Sequence, residues 1–144
     1  MRVVSVITVV LNGERVLGRT LESIAAQRGC KIEHILIDGG SQDRTLDVLK
    51  GYSSLESRVI SEPDRGPYDA MNKGVAAARG EWVLFLGADD RLLEGALASL
   101  MPLLRRTDTS VIVGEASYDD GRIYPLRVKE AARRNFTHHQ ATCY

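Results

Sequence analysis

The stretch Val3-Val4-Ser5-Val6-Ile7-Thr8-Val9-Val10-Leu11 constrains the fold more than any other. It is rich in β-branched residues and apolar at both odd and even positions, so a strand built from it has no face to give to water. Strands of this kind belong in parallel sheets covered on both sides. Ser5 and Thr8 interrupt the run and no cleavage site of small residues follows, so it reads as a strand and not as a signal peptide. The rest of the chain supplies the covering layers. Val16, Leu17, Thr20, Leu21 and Ile24 recur at helical spacing, predicting a helix over Glu14 to Gln27. Ile32 to Ile37 reads as a second strand, and Asp43 to Leu49 as a second helix with Asp43 as its N-cap. Arg58 to Ser61 is a short third strand, and Asp69 to Ala78 a third helix ended by Gly80. Trp82 to Leu86 is a fourth strand, apolar throughout. Glu94 to Arg105 is a helix that Pro102 bends or ends. Ser110 to Gly114 is a fifth strand, and Asp120-Gly121 a hairpin turn. Strand and helix in alternation specify an α/β fold, a central and mostly parallel sheet with helices on both faces. With no internal repeat, low-complexity segment or linker, residues 1–144 read as one domain.

Composition narrows the function. Nineteen basic residues balance nineteen acidic ones in 144, which argues against a general nucleic-acid binder with its basic excess. No apolar run approaches the roughly 18–20 residues of a membrane span, so a cytoplasmic protein is expected. Cys30 and Cys143 have no metal-like spacing and read as free thiols of a reducing compartment.

In open α/β sheets ligands bind beyond the carboxyl ends of the strands. Those ends carry Asn12, Asp38 and the pair Asp89-Asp90. Asp38 precedes Gly39-Gly40, a tight turn that lets a ligand approach the backbone, and its carboxylate can accept hydrogen bonds from a base or a ribose. Placed so, it is expected to point at a ligand and not into the core. Asp89 and Asp90 repel one another unless a cation sits beside them. Hard oxygen ligands of this kind suit Mg²⁺ or Mn²⁺ with a substrate phosphate; an acidic first turn of a helix is the alternative. Asp69, Asn72 and Lys73 lie three and four apart, hence on one face of a helix that follows a Gly- and Pro-rich segment.

Taken together these segments resemble the family 2 glycosyltransferases of the GT-A fold, from about Val4 to Leu93. The resemblance is carried by Ser5 to Val9 with Asn12 and Glu14, by Ile37-Asp38-Gly39-Gly40-Ser41-Gln42-Asp43, by Glu62-Pro63-Asp64-Arg65-Gly66-Pro67-Tyr68-Asp69-Ala70-Met71-Asn72-Lys73-Gly74 with Ala78-Arg79-Gly80, and by Phe85-Leu86-Gly87-Ala88-Asp89-Asp90. The third string is the most specific and is similar to the branch that makes bacterial surface polysaccharides. The resemblance implies inverting sugar transfer from a nucleotide-sugar donor, a UDP-sugar first, to a saccharide or lipid-linked acceptor. It implies that Val9, Asn12 and Glu14 lie by the nucleotide, that Asp38 reads the base, and that Asp69, Asn72 and Lys73 line the donor pocket. It also implies that Asp89, with Asp90, holds Mn²⁺ or Mg²⁺. Gly87 stands where the family's Asp-x-Asp motif has its first Asp, which puts the ribose contact in doubt.

Thr137-His138-His139-Gln140 resembles the family's His-Gln element, which adds His139 as a metal ligand. In that family the general base lies downstream of this element, whereas here the sequence stops at Tyr144. The expectation is therefore a donor-binding half without the base and acceptor region, since Glu115, Asp119 and Asp120 match no base motif. A module that binds a nucleotide sugar without transferring it is the competing reading. A sugar-phosphate nucleotidyltransferase is disfavoured, because Leu11-Asn12-Gly13-Glu14 is no phosphate loop. The basic residues Arg122, Arg127, Lys129, Arg133 and Arg134 form either a solvated surface or a face for a lipid pyrophosphate or an anionic membrane, which would put the protein at the inner face of the membrane. The tail after Arg134 is expected to be frayed or ordered by a neighbouring copy, as in a homodimer.

Overall fold

The computed structural model describes residues 3–105, 112–113, 116–117, 123–124 and 142–143. The apolar run is β1 (Val3–Val10), and it is the centre of the sheet. On one side it pairs in parallel with β2 (Lys31–Asp38), and β2 pairs in parallel with β3 (Ser57–Ser61). On its other side it pairs in parallel with β4 (Trp82–Gly87). Four short strands follow: β5 (Ile112–Val113), β6 (Ala116–Ser117), β7 (Ile123–Tyr124) and β8 (Thr142–Cys143). The main sheet runs β3-β2-β1-β4-β8-β5, with β8 antiparallel to both its neighbours. β6 and β7 pair antiparallel, flanking Asp120-Gly121, which lies outside the described residues.

The chain moves outward from β1 to β2 to β3 and then crosses back to β4. Helices α1 (Leu17–Ala25) and α2 (Thr45–Lys50) make the outward crossovers, and α3 (Pro67–Ala77) makes the return. Reversing direction moves the covering helix to the opposite face when crossovers keep one hand. Accordingly α3 packs Ala70 and Ala77 on Ile7, Ile35 and Ile37. On the other face Leu17 and Leu21 of α1 pack with Val10 and Leu36, and partly buried residues of α2 join them. Helix α4 (Ala96–Leu104) adds Leu97, Met101 and Leu104 against Val4, Val6, Trp82, Leu84 and Leu86. Helices thus cover both faces, and the reversal between β1 and β4 leaves a crevice at their carboxyl ends.

The helices differ from their predicted spans for local reasons. α1 begins at Leu17 and not Glu14: residues 14–16 form a turn in which the Val16 and Leu17 amides both bond to the Gly13 carbonyl. α2 begins at Thr45; Asp43 sits just outside it, and one carboxylate oxygen accepts the Thr45 amide as a cap does. α3 starts two residues early at Pro67, a residue preset for the first helical turn. Pro102 lies inside α4 and does not end it. Of the predicted fifth strand, only Ile112 and Val113 are described as β.

Among the polar side chains buried in the sheet, His34 is the titratable one at its middle. His34 is 1% exposed, with Nδ1 2.6 Å from the Ser57 hydroxyl and Nε2 3.1 Å from that of Thr8. Burial disfavours the charged ring and pushes its pKa from 6.5 down to about 4. The unfolded chain takes up this proton near pH 6.5 and the folded chain only near pH 4. The folded state is therefore unaffected by His34 above that window and loses stability as the pH falls through it. At pH 4.5 the loss is about 2.5 kcal/mol. We expect urea unfolding at pH 7 and pH 4.5 to show a drop in stability larger by about that amount in the native chain than in His34→Gln; equal drops would show that His34 is not buried neutral.

Candidate functional site

The parallel register places the strand ends in one row. Val10 is opposite Asp38, Asp38 is opposite Ser61, and Val9 is opposite Gly87. The loops that leave this row are joined by side chains more than by packing.

The loop after β1 is stitched to the loop after β2. The amides of Asn12, Gly13 and Glu14 donate to Ser41 Oγ at 2.7 Å, Thr45 Oγ1 at 2.8 Å and Asp43 Oδ2 at 3.0 Å. In return Asn12 Oδ1 accepts the Gln42 amide at 2.8 Å, and Glu14 Oε2 accepts the Arg44 amide at 3.0 Å. Asn12 takes a left-handed backbone, φ 52°, which asparagine tolerates better than most residues. Burial opposes the charge on Asp43, but the bonds from Thr45 and Glu14 hold its carboxyl below the usual range. Asn12 and Glu14, expected beside the nucleotide, are thus both engaged in holding the rim together.

Asp38 is fully buried. Its Oδ1 accepts the Ser41 hydroxyl, its Oδ2 accepts the Ser61 hydroxyl at 2.6 Å, and the Ser41 amide lies 3.2 Å from both oxygens. The expectation that it points outward is corrected by this geometry: the carboxylate ties the second loop to the end of β3. At the next residue, Gly39, the missing side chain leaves room for that of Asp64. A Cβ at Gly39 would lie 2.6 Å from Asp64 Oδ2, so the turn after β2 and the segment before α3 close on each other there.

The segment before α3 is held by the helix it leads into. Asp69 Oδ2 accepts the Arg65 amide at 3.1 Å, and that bond, with Lys73 and Arg65 nearby, holds its carboxyl low. Lys73 Nζ reaches Glu62 at 2.9 Å and the Pro63 carbonyl at 3.0 Å. The Glu62 hydrogen bond is the main reason its ammonium is held above the usual range. Asn72 is exposed beside them. Val9 is partly buried against the α3 side of the sheet.

After β4 the chain turns sharply, with the Asp90 amide bonded to the Gly87 carbonyl at 3.1 Å. A Cβ at Gly87 would lie 2.7 Å from Asp90 Oδ2 and 3.3 Å from Asp89 Oδ1. Both carboxylates therefore fold over the same bare Cα, and the space of a side chain at position 87 is theirs. Asp89 is exposed and Asp90 partly so. Two hard oxygen donors at one point fit the protein's share of a Mn²⁺ or Mg²⁺ site. Among the described residues no group of three His, Cys, Asp or Glu side chains could hold a metal. His139, Glu115, Asp119, Asp120 and the basic stretch lie outside the described residues.

One set of site-building residues is not evident from the sequence. Thr20, Ser23 and Gln27 of α1 and its end contact the chain that follows Gly87. Their signal is a polar row at i, i+3 and i+7 set into the apolar stripe of the helix.

The description "Glycosyl transferase family 2" matches residues 5–143. A mycobacterial protein named "PGL/p-HBAD biosynthesis glycosyltransferase", from Mycobacterium bovis, is 48% identical over 93 residues, which are 62% of this chain and 36% of that one. The S. aureus TarS 1–349 crystal structure superposes with a TM-score of 0.85 at 24% identity, covering 100% of this chain and 47% of the other. Glucosyl-3-phosphoglycerate synthase from Mycobacterium tuberculosis, in a crystal with Mn²⁺, UDP and glucosyl-3-phosphoglycerate, superposes with a TM-score of 0.62 at 25% identity, over 76% of this chain and 42% of that one. The chain thus spans about a third of the mycobacterial relative and under half of each solved structure.

The geometry of Asp38 yields a test of stability. Asp38→Ala leaves two serine hydroxyls and an amide without their acceptor, a cost of about 1–3 kcal/mol. Chemical denaturation at pH 7 is expected to show that loss, and an unchanged midpoint would mean that the carboxylate is not the tie described.

Proposed function

This chain belongs to glycosyl transferase family 2, and we propose that it holds a nucleotide-sugar donor at the carboxyl edge of its sheet for transfer of the sugar, with inversion, to an acceptor hydroxyl. The observation that carries the reading is the alignment of Val10, Asp38 and Ser61 across three parallel strands, with Gly87 of the fourth opposite Val9 and two carboxylates converging over it beside the β1–β4 crevice. That crevice is where a doubly wound sheet takes a nucleotide.

In this reading Asp89 and Asp90 hold the cation, and Mn²⁺ with UDP in the mycobacterial synthase crystal supports that choice of metal and base. Bound there, a divalent cation neutralises charge on a departing diphosphate. The chain's own groups do the rest. The stitched loop of residues 12–14 forms a rigid wall of the nucleotide pocket. Asp38 stands behind Ser41 and Ser61, so contact with a base at that point passes through their hydroxyls or displaces them. Asp69 and Lys73 fix the 62–65 segment as the opposite wall and leave Asn72 exposed to the donor. His139 is proposed as a further metal ligand from the segment following the described helices. A general base is required for the acceptor proton, and no residue is assigned to it. The acceptor is proposed to be a saccharide or lipid-linked sugar of a surface polysaccharide, as the name of the mycobacterial relative favours a biosynthetic glycoside. No described helix is long and apolar enough to cross a membrane. The enzyme is proposed to be cytoplasmic, alone or as a homodimer, and to meet a lipid-linked acceptor at the inner face of the membrane.

A thermal-shift panel of UDP-, GDP- and dTDP-sugars, with and without Mn²⁺, tests the donor reading, since a ligand specific to the folded state raises its stability by mass action. A radiolabelled transfer assay then separates an enzyme from a module that binds without turnover. In calorimetric titrations of UDP with Mn²⁺ present, Asp89→Asn is expected to lose about 1–3 kcal/mol of affinity, the contribution of one charged ligand. Equal binding by mutant and native chain would remove Asp89 from the site.

A further inference from the structure

The carboxylate pair is held in place from a distance, by α1. Thr20 is fully buried on that helix, and its hydroxyl proton is shared between two carbonyl oxygens of the turn, Ala88 at 2.7 Å and Asp90 at 2.8 Å. One turn further, Ser23 Oγ accepts the Leu92 amide at 3.1 Å. Gln27, buried at the end of the helix, donates to the Leu93 carbonyl at 2.9 Å and accepts the Leu97 amide at 3.1 Å. These three side chains grip the backbone from Ala88 to Leu97 at successive points. The segment has no secondary structure of its own before α4, so the side chains of α1 replace the ladder that would otherwise orient it.

We infer that Thr20 is a positioning residue for the metal and diphosphate site: through the Ala88 and Asp90 carbonyls it fixes the angle at which Asp89 and Asp90 present their carboxylates. Ser23 supports it. This rests on the reading of those carboxylates as the cation site. A hydroxyl is the group required, because the two carbonyls need a donor small enough to fit between helix and turn, and valine of the same shape offers none. With the donor removed, the turn loses the bonds that hold the backbone on either side of Asp89 and Asp90, and their side chains shift with it, since χ1 of each aspartate starts from that backbone. The effect falls on the cation-dependent part of nucleotide binding, because both bonds of the Thr20 hydroxyl go to the turn after β4.

The test is the ratio of UDP affinity with Mn²⁺ to UDP affinity without it, measured by calorimetry on the full chain, with melting curves to establish that each variant is folded. Thr20→Val is expected to lower the ratio at least tenfold while leaving metal-free UDP affinity within twofold of the native value. Thr20→Ser, which keeps the hydroxyl, is expected to restore the ratio to within about threefold. Ser23→Ala, a milder change that decides the matter if Thr20→Val does not fold, is expected to lower the ratio about threefold. An unchanged ratio in the folded variants, or equal losses with and without metal, would overturn the positioning role. A native chain that binds UDP equally with and without Mn²⁺ would instead overturn the reading of the carboxylates as a cation site, and the inference with it.

Discussion

Everything in this molecule depends on β1 being paired in parallel on both sides. A parallel strand has its hydrogen bonds taken by neighbours running the same way, and both of its faces must be kept dry by helices. The connections among β1, β2, β3 and β4 therefore return over the sheet, and these four strands deliver their carboxyl ends to the same edge. Asp38, Ser61 and Gly87 are distant in the sequence and neighbours in space for that reason alone. The apolar packing of α3 on one face and of α1, α2 and α4 on the other has no polar function, but it fixes where the polar edge lies.

At that edge the energetic problem is different. Loops carry backbone groups that no ladder satisfies, and near a buried sheet these cannot all be left to water. Here short polar side chains complete the accounting. Serine and threonine hydroxyls, and the carboxylates of Asp38 and Asp43, take up the amides of the rim. At the amino-terminal end of the sheet the same device recurs: Glu33 accepts the Ser5 hydroxyl at 2.6 Å and the Arg79 amide at 2.8 Å, closing the turn before β4. Each such bond is worth only about 1 kcal/mol net, yet an unfilled partner costs more than the bond contributes. These residues are consequently poor candidates for casual substitution, whatever their contact with a ligand.

Much of the fold was legible because apolar periodicity reports burial directly. All four long strands and all four helices lie where the pattern puts them, with shifts of a few residues at the ends. Those shifts come from details that periodicity does not report: the Thr45 amide is taken by Asp43 two residues before it, the Glu14 amide by Asp43 of another loop, and α3 opens on Pro67. The acidic residues at the strand ends were legible as unusual, but their orientation was not. Asp38 and Asp89 look alike in sequence, each at the close of an apolar strand; one is sealed by two serines and the other faces water. Ser41, three residues on, is the local half of that seal, but the other half comes from Ser61, 23 residues away, which local sequence does not report. Thr20 was visible only as a polar residue beside an apolar stripe, since its partners lie about seventy positions downstream.

The stitching of the first two loops has a consequence for motion. Five amides, those of residues 12, 13, 14, 42 and 44, each depend on a side chain of the opposite loop. None can be released singly without loosening the partner segment, so the two loops open together or not at all. Their hydrogens should therefore exchange with solvent through one shared opening, at one common rate. The rim between β1 and α1 is thus rigid in the manner of a sheet although it contains no strand, and an incoming molecule meets a preformed edge there in place of a loop that must first be ordered.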